Sequence, residues 1–150
     1  RQNSGIGFAV PVDLVKRVVP SLINDGHHTY SLMGITGQEV DITKRKSANL
    51  PGDVLGAMVM TVSPSGPADT AGIRGDSGDR ASNGALIRGL ENWDGDIIIS
   101  INSIPMKSMD NLIGYLALNT APGEEIEIGI FRGGIEISVS MTLGSRPSIS

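Results

Sequence analysis

The sequence predicts an α+β fold, mainly β with two or three helices. Three observations carry this: short runs of β-formers broken by turn residues from Tyr30 onward, a Gly-Gly hairpin signal near the C-terminus, and one strongly periodic helix at 108–119. With 150 residues and 39% hydrophobic content, the chain can bury a real core, and its length suggests one domain plus an appendage.

Residues 12–24 place Leu14, Val15, Val18, Val19, Leu22 and Ile23 at helical spacing. Asp13 is positioned to cap this helix and Gly26 to end it. Pro20 removes one internal hydrogen bond and predicts a kink, as suits a connector between domains. Residues 24–29 then form a linker.

Strands are expected at 32–36, Ala57–Val62, 97–102, 125–131 and 135–143, with a weaker one at 85–88. Arg132, Gly133 and Gly134 join the last two as a hairpin. In the helix at 108–119, Ser108 is the cap and Met109, Leu112, Ile113, Leu116 and Ala117 form the apolar stripe. Shorter helical pieces are expected at 42–48 and 67–71. Residues 75–84 form a stretch of low hydrophobicity, expected as an inserted loop.

A net charge of -4, with 12 Lys and Arg against 16 Asp and Glu, argues against a phosphate-binding surface and hence against nucleic acid as a partner. Zero cysteines exclude disulfides and thiolate metal sites. No stretch approaches the roughly 18 apolar residues that span a bilayer. The chain starts at Arg1 rather than Met, as expected of an excised or processed piece.

Residues 3–11 (Asn3, Ser4, Gly5, Ile6, Gly7, Phe8, Ala9, Val10, Pro11), continued by Val12, Asp13, Leu14, Val15, Lys16, Arg17, Val18 and Val19, resemble the closing strand and exit helix of the protease domain in the HtrA/Deg family of trypsin-like serine proteases. Three later blocks, in order, resemble the PDZ module that follows that domain. The first is Leu32, Met33, Gly34, Ile35, Thr36, Gly37. The second is Val62, Ser63, Pro64, Ser65, Gly66, Pro67, Ala68 with Ala71, Gly72, Ile73. The third runs from Gly95, Asp96, Ile97, Ile98 through Ile101, Asn102, Ser103, Ile104, Pro105 to Ser108, Met109, Asp110, Asn111, Leu112. The resemblance covers nearly the whole chain; the loop at 74–93 is longer than in the shortest relatives.

The resemblance implies a partly open, PDZ-like β-barrel or sandwich with a peptide groove between a strand and the helix at 108–119. It divides the chain into a protease tail, exit helix and linker (1–29), a PDZ domain (30–146) and a short tail (147–150). In such domains, backbone amides of a glycine-containing loop meet a peptide's terminal carboxylate while the peptide adds itself as a strand. Here the loop would be Leu32, Met33, Gly34 and Ile35, and Thr36, Leu112 and Leu116 would line the groove.

From spacing alone, Leu112 and Leu116, at i and i+4, fit a core stripe equally well, and Gly34 fits a simple strand-entry glycine. No acid, His or Lys occupies the two groove-facing helix positions, so modest affinity and an apolar preference are expected. The implied function is to recognise hydrophobic C-termini or unfolded segments for a homo-oligomeric, extracytoplasmic parent protease, with no cofactor and no catalytic residue in this chain. The protease domain of the parent is the second implied partner.

Other motifs compete. Gly75, Asp76, Ser77 and Gly78 spell the nucleophile motif of trypsin-like proteases, with His27 and His28 upstream, so a serine endopeptidase acting through Ser77 is one alternative. About 50 residues between them cannot build the two barrels that order requires, and Asp79 stands where a second Gly belongs. Arg74, Gly75 and Asp76 match a cell-adhesion tripeptide and are expected to be a turn. Asp76, Asp79, Asp94 and Asp96 lack the spacing of a calcium loop and are expected to form a solvated acidic loop. The adjacent His27 and His28 are expected to be exposed. Met58, Met60, Met106, Met109 and Met141 are expected core fillers. The last alternative is an oligomerisation module acting through the long loop.

Overall fold

The computed structural model describes residues 10–78 and 93–146. A helix, α1 (Val12–Asp25), leads into β1 (Ser31–Leu32), β2 (Ile35–Glu39), α2 (Ile42–Ser47), β3 (Ala57–Val62) and α3 (Pro67–Thr70). Then follow β4 (Ile97–Ile101), β5 (Ile104–Pro105), α4 (Met109–Asn119), β6 (Glu125–Arg132), β7 (Ile135–Thr142) and β8 (Gly144–Ser145). The main sheet runs β2-β3-β4-β6-β7 with β5 attached to β4, and β1 pairs β8 in a second, two-stranded sheet. All pairings are antiparallel. The α+β expectation therefore holds, with α2 and α3 as short pieces. The expected weak strand at 85–88, the segment at 3–9 and the tail at 147–150 lie outside the described residues.

Period-two side-chain alternation distributes the core on both faces of the sheet. Ala57, Val59, Ile98, Ile126, Ile128 and Ile130 point to the main cluster, joined by Met33, Leu112, Met141 and Leu143. Met58 and Ile97 point the other way, to Val40 and the flanking Trp93, Phe131 and Leu50. Because β3 is covered on both faces, its first four residues form an unbroken apolar run rather than an alternating one. Gly133 and Gly134, both at positive φ, make the two-residue turn between Arg132 and Ile135.

The expected strand at 32–36 is two strands. Leu32 pairs with Gly144 in one sheet and Ile35 with Val62 in the other. The chain changes sheets at Met33 and Gly34, and β2 runs on to Glu39. Likewise, Asp13 does not cap α1. Pro11 is the N-cap, its preset φ of -55° leading into the helix without a side-chain bond, and Asp13 sits in the first turn facing Lys16 at 3.8 Å. The helix passes through Pro20 and ends at Gly26, whose N–H donates to the Leu22 carbonyl. Ser108 caps α4 as expected, accepting from Asn111 N–H at 3.1 Å. Asp41 caps α2, and its bonds to the Lys44 ammonium and N–H hold its carboxyl below the usual carboxylate range.

Asp96 and Asp76 are not solvated. Asp96 has no solvent exposure; its carboxylate accepts from Arg132 Nε and Nη2, both at 2.6 Å, and from Arg74 N–H at 2.7 Å. Arg132 Nη2 also donates to the Gly72 carbonyl at 2.6 Å. Hydrogen bonding to Asp96 raises the pKa of the Arg132 guanidinium above its ordinary value. Asp76, also buried, accepts from Gly78 N–H at 2.7 Å, so the adhesion-like tripeptide does not present its carboxylate.

Arg132→Met removes one half of a buried pair and should cost about 3–5 kcal/mol of unfolding free energy. Ser108→Ala should cost about 1 kcal/mol. Urea unfolding followed by circular dichroism checks both; a loss under about 1 kcal/mol for Arg132→Met would show that Asp96 finds other partners.

Candidate functional site

The loop from Leu32 to Ile35 is held from behind. Ala68 N–H donates to the Met33 carbonyl at 2.9 Å and Ser63 N–H to the Gly34 carbonyl at 2.8 Å. The Met33 side chain, 3% exposed, anchors in the main core. Gly34 stands at φ +78°, where an L side chain is strained. With both carbonyls engaged behind, the amides of Met33 and Gly34 meet no acceptor among the described residues. The Ser63 to Gly34 bond brackets the Ile35↔Val62 pair, so antiparallel geometry turns the N–H and C=O of Ile35 away from β3.

That direction is the open side of the sheet. β2 ends the strand order, and no described strand pairs with its outer edge. The register shifts between Thr36 and Gly37, adding local twist to this edge. The exposed Thr36 bonds the Thr61 hydroxyl at 2.5 Å. Gly37 lies so close to its neighbours that an added Cβ would meet the Met58 carbonyl oxygen at 2.8 Å.

α4 packs beside this edge. Leu112 is 1% exposed and belongs to the main core, whereas Leu116, Met109 and Tyr115 are partly buried against it. Leu112 therefore sits in the packed interior, and the partly open positions of the helix are Met109, Tyr115 and Leu116. Met109 reaches across to Gly37: its Sδ and Cε lie 3.2 and 3.3 Å from where a Gly37 Cβ would stand. Met109, expected as a core filler, packs partly buried against the main core and also faces β2 at Gly37. Tyr115 accepts a long bond from the Asn102 amide at 3.4 Å.

The candidate residues Leu32, Met33, Gly34, Ile35, Thr36, Leu112 and Leu116 thus gather on one side of the domain around the edge of β2. Two amides without a described acceptor and an unpaired strand edge are backbone groups of the kind that can take a carboxylate and extend a ladder. These are means of binding: the set contains no acid, base or strong nucleophile.

The competing motifs fall elsewhere. Ser77 donates through both its N–H (2.8 Å) and its hydroxyl to Asp94, with no imidazole between them. His28 Nδ1 bonds the Ser21 hydroxyl at 2.6 Å and its ring packs edge-on against Tyr30. His28 is accordingly half-buried, not exposed, whereas His27 is exposed. Among the described residues, no group of three or more His, Asp or Glu could hold a metal ion.

Residues 31–143 match the family model described as PDZ domain. The chain is 32% identical over 147 residues to the periplasmic pH-dependent serine endoprotease DegQ of Escherichia coli, covering 97% of this chain and 28% of that protein. It is also 32% identical over 149 residues to the chloroplastic protease Do-like 1 of Arabidopsis thaliana, covering 99% of this chain and 30% of that one. The chain therefore spans less than a third of the length of these relatives. The solved HtrA-type protease AlgW with a decapeptide superposes with a TM-score of 0.73 at 25% identity, over 97% of this chain and 38% of that chain. The HtrA3 PDZ domain bound to a phage-derived ligand shares the fold at a TM-score of 0.56 and 19% identity, over 79% of this chain and 89% of that one. With the sheet order, the loop at Gly34 and the α4 packing, these matches show that the chain belongs to the PDZ domain family, with similarity to HtrA-type proteases over the PDZ region.

Proposed function

We propose that this chain is the peptide-binding regulatory module of an HtrA-type serine protease, taking apolar C-termini or unfolded hydrophobic segments by strand addition to β2. The observation that carries this is the conjunction of two unpartnered amides, at Met33 and Gly34, with the open edge that begins at Ile35. A peptide carboxylate would sit on the amides and its backbone would continue the sheet along β2. Its last side chain would lie near Ile35 and Leu116, over the buried Leu112, and an upstream side chain would meet Met109. The apolar character of these positions favours an apolar terminus, and among the described residues no Lys or Arg bonds the loop, which keeps affinity modest. Peptide complexes among the structural neighbours, including AlgW with a tripeptide, support this reading.

In this reading residues 1–29 are the tail of the parent's protease domain, its exit helix and a linker, 30–146 the PDZ domain, and 147–150 a tail. The parent is a homo-oligomeric serine endopeptidase acting outside the cytoplasm, in keeping with its periplasmic relatives, and its catalytic residues lie in that preceding domain. Among the described residues, no helix is long and apolar enough to cross a membrane.

A fluorescent peptide with a free apolar C-terminus should bind with micromolar Kd in a polarisation assay, and its C-terminal amide should bind far more weakly. Gly34→Trp, which strains the loop by about 1–2 kcal/mol and tilts its amides, should abolish binding while the domain stays folded by circular dichroism. Full affinity in that variant would refute the groove. The chain should also leave casein uncut; turnover lost on Ser77→Ala would instead establish a serine hydrolase.

A further inference from the structure

α1 docks on the domain without burying a single residue. Val12, Val15, Val19, Leu22 and Ile23, among its apolar residues, remain 39–76% exposed. The half-buried stripe is instead Leu14, Arg17, Val18 and Ser21, at spacings of three and four. Its described hydrogen bonds to α4 come from Arg17. Arg17 Nη1 donates to the Leu118 carbonyl at 2.7 Å and Nη2 to the Thr120 carbonyl. These are carbonyls of the last turn and C-cap of α4, which a helix leaves without intrahelical partners and at the negative end of its dipole. α4 has no basic residue in its own last turn, so Arg17 supplies that cation from another helix. Its planar fork reaches two carbonyls at once, which a lysine ammonium does not do with the same geometry.

The bonds continue toward the peptide site. Thr120 is buried; its hydroxyl lies 2.8 Å from both the Leu116 carbonyl and the Ser31 hydroxyl. A carbonyl only accepts, so the Thr120 proton goes to Leu116 and Ser31 donates to Thr120. Ser31 immediately precedes Leu32, the first residue of the amide loop, in a strand held by only two residue pairs. A continuous set of hydrogen bonds thus links Arg17 on α1, the end of α4 at Leu116, Leu118 and Thr120, and the start of the loop at 32–35.

We propose that Arg17 is a positioning residue for peptide binding: it fixes the C-terminal end of α4 and, through Thr120 and Ser31, the amide loop, so that docking of α1 and occupancy of the groove favour one another. The inference rests on the proposed reading of the groove. Its physical basis is a helix with no buried residue, bonded through Arg17 to the end of α4, so that its release unclamps one wall of the site. By linkage, whatever α1 docking does for peptide affinity, the peptide does for α1 docking.

The test uses the whole chain with a fluorescent apolar peptide. Arg17→Met should weaken binding about fivefold or more, and Arg17→Lys should fall between it and the wild type. Thr120→Val should weaken binding too, and the double variant should lose less than the product of the single losses. Peptide should slow amide hydrogen exchange across residues 12–25 in the wild type and leave it unchanged in Arg17→Met; a purely structural role for Arg17 would not produce that difference. Arg17 is half-buried at the surface, so its variants retain the core, and thermal unfolding checks this. Equal affinity in wild type and Arg17→Met, or α1 exchange indifferent to peptide, overturns the proposal alone. A wild-type chain that binds no peptide overturns the groove reading and this proposal together.

Discussion

The buried pair of Asp96 and Arg132 is the constraint on which the arrangement of the sheet depends. A carboxylate without solvent contact is tolerable only if its oxygens are engaged, and Asp96 has both side-chain donors of Arg132 and a backbone N–H of Arg74. Three parts of the chain are thereby tied at one point: the segment after α3, the start of β4 and the end of β6. Arg132 adds the Gly72 carbonyl to the same point. The pair leaves little freedom in where β4 begins, and β4 lies at the centre of the sheet. The order that puts β2 at the edge follows from which strands β4 accepts as neighbours.

An exposed strand edge is ordinarily a liability, because its unpaired groups invite association. Here it is short and bulged, and it is flanked by a helix. Met109 lies against Gly37 where a larger residue would not fit, which keeps α4 close to the strand. The change of sheets at Gly34 leaves two amides, at Met33 and Gly34, without a described acceptor next to the start of that edge. In the proposed reading, binding rests on backbone groups and their placement, and side chains mainly decide what else fits beside them.

The helix before the domain is joined by different physics. The PDZ core holds by apolar burial, with β3, β4 and β6 covered on their inner faces. α1 contributes no buried residue and meets the domain through half-buried Leu14 and Val18 and a guanidinium on helix-terminal carbonyls. The first carries the buried apolar core, whereas the second adds no buried residue to it.

By itself the sequence determined the element types, most of their bounds and the family. Local signals sufficed for these: Ser108 as a cap, Gly133 and Gly134 as a turn, and period-two alternation along β6. It also placed the loop residues from Leu32 to Ile35 in order, since a resemblance is carried by residues in sequence. What only the tertiary structure decided were facts that depend on partners distant along the chain. Asp96 resembled a solvated acid until Arg132, 36 positions away, was folded onto it. Leu112 and Leu116 were equivalent by spacing, and only packing against the sheet buried the one and left the other partly open. The split of the strand at Met33 and Gly34 depended on β8 and β3 claiming opposite sides of it, and Arg17 acquired a partner 101 residues away that no local pattern announces. Periodicity reports which face of an element is apolar; which neighbour covers that face is settled by the closure of the whole chain.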